Sequence, residues 1–170
     1  SSNDIPLDEF GTGMDGDGKT KSNLFIIIPD DDDTFNFVPG MVYTLLFQEL
    51  YRHARFFGGK LPMDVGFWLD EIANIKMPNN FDKILATCRS RGVYCVPILQ
   101  SLAQLKTLFA DGAWEGIVGN CDTFIYLGGN EASTYEYVSK LLGRSTNEPV
   151  EKAKEPAVLT VRITMCLAGS

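Results

Sequence analysis

The chain has 170 residues, of which 45% are hydrophobic and 22% charged, and its formal net charge at pH 7 is −7. This composition is typical of a single globular domain rather than of a disordered chain. A free-standing nucleic-acid-binding domain usually carries a basic surface, so any contact with DNA is expected to be local or shared with other chains.

The chain contains one histidine, His53, and four widely spaced cysteines without a Cys-x-x-Cys pair. Zinc binding is therefore not expected. Because the cysteines lie in or beside apolar segments, we expect buried, reduced thiols and a cytosolic location. His53 falls on the apolar stripe of a predicted helix and is interpreted as a core residue. No segment has the length of a membrane span or the pattern of a signal peptide.

Residues 1–22 are polar, rich in glycine and aspartate, and interpreted as a loop or an incoming linker. Within them, GMDGDGKT at residues 13–20 matches the P-loop pattern G-x-x-x-x-G-K-[ST]. A working P-loop follows a buried strand and opens a helix, whose N-terminal N–H groups hold the phosphates. Neither flank fits here, and Asp15 and Asp17 would repel phosphate. The match is interpreted as a coincidence. A calcium loop is also disfavoured, because Lys19 occupies a ligand position.

From residue 23 onward, short apolar runs alternate with amphipathic helices. This alternation predicts a mainly parallel sheet covered on both faces, in which strands such as residues 65–69 are buried on each side. Strands are predicted at residues 24–28, 65–69, 93–99 and 122–127, helices at 39–57, 79–91, 102–109 and 132–142, a short turn at 114–118, and an edge strand at 158–167.

The carboxyl ends of the predicted strands carry polar or glycine residues. They are the aspartate run that starts at Asp30, then Asp70 and Glu71, then Gln100 and Ser101, and finally Gly128 and Gly129. Ligands of such sheets bind at this edge. An apolar strand followed by Asp70 and Glu71 has the form of a Walker B element. In such an element the first carboxylate holds a nucleotide-bound Mg²⁺ through water, and the second orients or deprotonates the attacking water.

Residues 24–143 resemble the motor domain of type IV secretion coupling proteins, the conjugative DNA-transfer ATPases of the TraG class. The resemblance is carried by short strings in matching order and spacing, at residues 25–30 with 34–37, 69–75, 86–91, 98–101 with 104–105, and 118–122 with 127–129. It implies an α/β, RecA-like three-layer fold with a mainly parallel sheet. It also implies a hexameric ATPase that hands a relaxase and single-stranded DNA to the components of a secretion channel. The chain would belong to the cytoplasmic domain of an inner or cell membrane protein.

The resemblance also implies roles for individual residues. Asp70 would be the Walker B aspartate that binds Mg²⁺ through water, and Glu71 the catalytic carboxylate. Gln100 would bind the nucleotide by sensing its γ-phosphate. Arg89 would reach the nucleotide of a neighbouring subunit and stabilise charge during phosphoryl transfer. ATP and Mg²⁺ are thus the implied cofactors of the parent protein.

Two features depart from the family. Its P-loop lies upstream, before an inserted all-helical domain, and its membrane helices lie further upstream; neither is found in this chain. We therefore interpret residues 1–22 as a linker that re-enters from the missing helical domain, residues 23–143 as a partial motor domain that lacks the P-loop strand, and residues 144–170 as a mobile tail or edge strand. The tail has no match. Without the P-loop, little ATP binding and essentially no hydrolysis are expected of this fragment.

Two other interpretations stay open. The chain could be a docking module that recruits relaxase or other secretion substrates without chemistry of its own. It could also be a phosphate-receiving signalling domain, with Asp30, Asp31 and Asp70 forming an acidic Mg²⁺ pocket. That second architecture needs a lysine after the last strand, where Gly128 and Gly129 stand.

Overall fold

The computed structural model describes residues 5–28, 33–110, 112–143 and 163–166 of the chain. From residue 37 to residue 142 the helices and strands follow the predicted order, and the short turn predicted at residues 114–118 is a helix. In chain order the elements are α1 (Phe37–Phe56), β1 (Val65–Leu69), α2 (Phe81–Cys88), β2 (Val93–Leu99), α3 (Leu102–Leu108), α4 (Ala113–Gly119), β3 (Thr123–Ile125), α5 (Ala132–Leu142) and β4 (Ile163–Cys166).

The sheet has the order β1-β2-β4-β3. β1 and β2 are parallel, with Leu69 opposite Pro97 at their carboxyl ends, so the predicted parallel pairing is confirmed for these two strands. β3 joins through β4, which is antiparallel to both of its neighbours. The strand predicted at an edge therefore lies inside the sheet, between β2 and β3. Of the three described strand pairs only β1 with β2 is parallel, so the predicted mainly parallel sheet is not found among the described strands. Residues 144–162 and 167–170 of the predicted tail lie outside the described residues.

The strand predicted at residues 24–28 is not formed. Phe25 and Ile27 are 83% and 92% exposed, and the segment joins no ladder within the described part of the chain. The segment and β1 instead line a shared cavity of about 970 Å³. A strand requires a neighbour at a spacing of about 4.8 Å, and an apolar run in the sequence does not reveal whether one is present. Most of the predicted aspartate run, residues 30–32, lies outside the described residues.

β1 is buried on one face only. Phe67 is 5% exposed and stacks on Phe47 of α1, with ring centroids 4.4 Å apart. Trp68 projects to the opposite face and is 65% exposed, so the prediction that β1 is buried on both faces is wrong. Gly66 lies on this second face beside Tyr94, whose ring a Cβ at residue 66 would meet at 2.3 Å. The absence of a side chain at Gly66 therefore lets the tyrosine lie across the strand.

α1 contains 20 residues and begins slightly before its predicted start. It buries Leu46, Phe47 and Leu50 in the core. The side chain of His53 is 12% exposed, and its Nε2 lies 3.7 Å from Glu49 Oε2, which is consistent with the predicted core position. None of the described helices, α1 included, combines the length and apolar character needed to cross a bilayer.

The prediction of buried thiols is confirmed for two of the four cysteines. Cys88 and Cys95 are both buried and free, and Cys121 is half-buried. A hydrogen bond between the first two, together with burial, raises the pKa of the Cys95 thiol well above its ordinary value. Cys95 is therefore protonated at neutral pH and behaves as a packing residue.

The one-sided burial of β1 gives a stability prediction with a neighbouring control. Phe67→Ala removes the ring that stacks on Phe47, and we expect it to lower the free energy of unfolding by about 3 to 5 kcal/mol. Trp68→Ala removes a largely exposed ring and should cost about 1 kcal/mol or less. Urea unfolding followed by far-UV circular dichroism measures both. Equal losses would mean that both faces of β1 are packed.

Candidate functional site

The carboxyl ends of β1 and β2 bring two of the predicted site residues together. Because the strands are parallel and Leu69 lies opposite Pro97, the residues that follow each strand emerge at the same edge of the sheet. Gln100 Nε2 donates a hydrogen bond to Glu71 Oε1 over 2.6 Å. The sequence predicted this edge as the ligand site, and the structure places a carboxylate and a primary amide there in direct contact.

Backbone geometry fixes Glu71 at this edge. Its φ of 51° and ψ of 49° lie in the left-handed region, and the short 3-10 turn Ile72–Asn74 begins directly after it. A non-glycine residue in this region costs about 1 to 2 kcal/mol, so surrounding contacts must maintain it. Ile72 provides such a contact because it is fully buried in the core. The turn therefore ends β1 abruptly and leaves Glu71 beside Gln100.

Asp70 is exposed next to Glu71, and the two carboxylates supply oxygen ligands of the kind that Mg²⁺ prefers. Within the described residues, no group of three or more histidine, cysteine or carboxylate side chains could hold a metal ion. An ion at Asp70 would therefore take most of its ligands from water or a bound phosphate, as Mg²⁺ commonly does. Asp70 offers a single exposed carboxylate, and the Mg²⁺ site that the resemblance implies there stays a prediction.

The loop that carries Gln100 is held by the first turn of α3. Gln104 Oε1 accepts hydrogen bonds from Gln100 N at 2.9 Å and Ser101 N at 3.3 Å. In return, Ser101 Oγ accepts one from Gln104 N, which completes a capping box. Gln104 was not predicted as a site residue, although the capping signal Ser-x-x-Gln precedes an apolar helix in the sequence.

A second support for this loop comes from α5. Leu102 N donates to Thr134 Oγ1 at 2.9 Å, and the Thr134 hydroxyl in turn donates to Glu131 Oε2. Hydrogen bonds from the side chains and backbone amides of Thr134 and Ser133 lower the pKa of Glu131 to about 2. No local sequence pattern reveals the contact between Leu102 and Thr134, because it joins residues 32 positions apart.

Arg89 lies away from this edge. It begins the turn Arg89–Arg91 that precedes β2, whereas Gln100 follows the last residue of β2. β2 is seven residues long, so the two ends are separated by about 20 Å at about 3.3 Å per residue. Arg89 Nη1 instead lies 3.5 Å from Asp122 Oδ2. The structure therefore does not bring Arg89 to the Glu71 and Gln100 of its own chain.

Residues 13–20 do not adopt the structure of a P-loop. No described strand precedes them and no helix follows within residues 17–28. The carboxylate of Asp17 accepts hydrogen bonds from Lys19 N and Thr20 N, both at 2.8 Å, and from Thr20 Oγ1. The hydrogen bond from the Thr20 hydroxyl lowers the pKa of Asp17 most strongly. Backbone amides that a P-loop would direct at phosphate are thus occupied by the loop's own carboxylate.

Comparison with known families gives a match over part of the chain. Residues 64–157 match the family model described as the TraM recognition site of TraD and TraG. The matched span covers more than half of the chain and includes Asp70, Glu71, Arg89 and Gln100. Neither the curated proteins nor the solved structures that were compared gave a significant match.

The low pKa of Glu131 gives a prediction about the pH dependence of stability. A carboxylate whose pKa falls from 4.5 to about 2 on folding stabilises the native state above pH 4.5 and loses that contribution as the pH falls toward 2. Glu131→Gln should therefore be less stable than the unmodified chain at pH 7, and the difference should shrink between pH 4.5 and 2. Urea unfolding at several pH values tests this. Glu136→Gln, at an exposed position of α5, is the control; a difference that persists unchanged at pH 2.5 would contradict the prediction.

Proposed function

The chain belongs to the family described as the TraM recognition site of TraD and TraG, and from this membership we propose that it is part of the ATPase motor of a conjugative coupling protein. In this proposal the parent protein hydrolyses ATP to move a relaxase and its DNA strand into a type IV secretion channel. The chain supplies the residues that act on the γ-phosphate and the attacking water.

The contact between Glu71 and Gln100 is the observation that carries the proposal. A carboxylate beside a primary amide, 2.6 Å apart at the edge of a parallel strand pair, can bind the attacking water and the γ-phosphate together. Bound Mg²⁺ would neutralise phosphate charge, and Asp70 would hold the ion through its water ligands. Glu71 would then accept a proton from water, and Gln100 would donate its N–H to a phosphate oxygen.

The RecA-like fold belongs to the same proposal. A parallel pair with a helical crossover and a ligand edge at its carboxyl end supports this fold class. The phosphate-binding loop would have to come from another part of the parent protein, since the amides of Lys19 and Thr20 bind Asp17. Isolated residues 1–170 would accordingly bind nucleotide weakly.

The position of Arg89 supports action between subunits. A side chain at the amino end of β2, about 20 Å from Gln100 along the strand, cannot serve the nucleotide bound beside Gln100 of the same chain. In a ring, each subunit could present Arg89 to the site of its neighbour. This arrangement agrees with the proposed hexamer at the cytoplasmic face of a membrane.

A second candidate function is partner recognition, because the description of the family names TraM as the protein recognised. Within the matched span, exposed apolar side chains occur on α5 and just after β3, namely Tyr135, Leu142 and Leu127. A docking role for these side chains would not require the chemistry of Glu71. The two functions could also coexist, with recognition and hydrolysis on different faces.

Substitutions in the longest natural form of the protein test the motor function. We expect Glu71→Gln to lower the kcat for ATP hydrolysis by at least about 10²-fold, because the proton acceptor is lost. Gln100→Ala should lower it by about tenfold or more through loss of a hydrogen bond to the developing charge. Lys19→Ala is the matched control and should leave hydrolysis unchanged. A strong loss of kcat with Lys19→Ala and none with Glu71→Gln would contradict the proposal, because residues 13–20 and not Glu71 would then serve hydrolysis.

Mixing two inactive variants tests the action of Arg89 between subunits. Arg89→Ala should lower hydrolysis by about 10³-fold or more if the guanidinium stabilises the transferred phosphoryl group. Rings assembled from Arg89→Ala and Glu71→Gln subunits should regain activity, because some sites then combine an intact Glu71 with an intact Arg89. Arg91→Ala, two residues away, is the control for the fold of this turn. Mixed rings no more active than either variant alone would rule out action between subunits.

A further inference from the structure

Thr134 is an unusual residue in the core. It is 1% exposed, and among the described residues it is one of two buried polar side chains, the other being Thr12. A buried hydroxyl is costly unless its hydrogen bonds are made. Thr134 makes them to two different elements: it accepts from Leu102 N at 2.9 Å and donates to Glu131 Oε2.

As a hydrogen-bond acceptor, Thr134 binds the backbone at the end of the loop after β2. Leu102 is the first residue of α3, and its N–H has no partner within that helix. It lies two residues after Gln100, in the segment whose other amides bind Gln104 Oε1. The two sets of hydrogen bonds therefore fix residues 100–102 from two sides, by Gln104 within α3 and by Thr134 from α5.

Glu131 determines the direction of the hydrogen bonds at Thr134. Its carboxylate accepts from Ser133 N and Thr134 N, each at 2.9 Å, and so holds the first turn of α5. The same carboxylate also accepts a hydrogen bond from the Thr134 hydroxyl. The Thr134 oxygen is then left as an acceptor, which is the role that Leu102 N requires. Because the pKa of Glu131 is about 2, the carboxylate is charged, and this arrangement persists, at neutral pH.

We propose that Thr134 and Glu131 are positioning residues for Gln100: through the N–H of Leu102 they fix the loop that places the Gln100 amide against Glu71. This inference rests on the proposed motor function for its catalytic consequence, but its structural part does not. Neither residue touches the nucleotide in this scheme. A shift of the first turn of α5 would be transmitted to Gln100 through the hydrogen bond between Thr134 and Leu102.

The structural part is tested by hydrogen exchange of the 170-residue chain, measured by NMR. Thr134→Val keeps the shape of the side chain and removes the hydroxyl, so the amide of Leu102 should exchange about tenfold faster. Thr134→Ser keeps the hydroxyl and should restore slow exchange. Glu131→Gln should give a smaller increase, and provides a second variant if Thr134→Val does not fold. Ser139→Val, at an exposed position of α5, is the control. Unchanged exchange at Leu102 in Thr134→Val would overturn the proposal.

The catalytic part is tested by steady-state kinetics of the longest natural form. Misplacement of Gln100 should lower kcat by about tenfold, with the KM for ATP changed by less than about threefold, since positioning acts mainly on the transition state. Thr134→Ser should recover kcat. A Thr134→Val protein that loses stability but keeps kcat would show a merely structural role and overturn the proposal. If Gln100→Ala and Glu71→Gln both leave hydrolysis unchanged, the motor function fails instead, and the exchange experiment still decides the positioning role.

Discussion

The parallel pairing of β1 with β2 is the constraint on which the candidate site depends. Its register places Leu69 opposite Pro97, so the residues that follow the two strands meet at one edge. The stack of Phe47 on Phe67 and the burial of Leu69 hold β1 against α1. A shift of one residue in this register would turn Phe67 to the open face and separate Glu71 from Gln100. Core packing thus sets the geometry of an exposed polar pair.

The polar pair itself is weakly buried, so its geometry must come from the backbone on either side. On β1, the left-handed conformation of Glu71 is maintained by the buried Ile72. On β2, the amides of residues 100–102 are bound by Gln104 and Thr134. Each hydrogen bond contributes about 1 kcal/mol, but leaving such an amide without a partner costs about 1 to 3 kcal/mol. Alternative loop conformations are therefore disfavoured, and the edge is preorganised.

The sequence predicted the local elements well, and the long-range pairings poorly. The strands at residues 65–69 and 93–99 were predicted correctly, because an apolar run bounded by turn residues is a signal that lies in the local sequence. The run at residues 24–28 has the same pattern but lacks a ladder partner, and β4 occupies an interior position that no local signal reveals. Thr134 was missed for the same reason, since its partner Leu102 is 32 residues away. By contrast, Glu71 and Gln100 could be predicted, because strand ends in a parallel sheet converge.

The false P-loop shows why residue letters alone do not define a phosphate site. Phosphate is bound by backbone N–H groups that have no other acceptor, and in residues 13–20 the carboxylate of Asp17 already satisfies two of them. A phosphate would have to displace a covalently tethered anion and then lie beside its charge. Under the proposed function, the described part of the chain would supply the edge that acts on the γ-phosphate, without a phosphate cradle. Arg89 lies at the opposite end of β2 from this edge. Under the proposed function, a complete site needs a cradle from elsewhere in the parent and an arginine from a neighbouring subunit. Hydrolysis would then require assembled subunits, because Arg89 lies too far from Gln100 of its own chain to complete the site there.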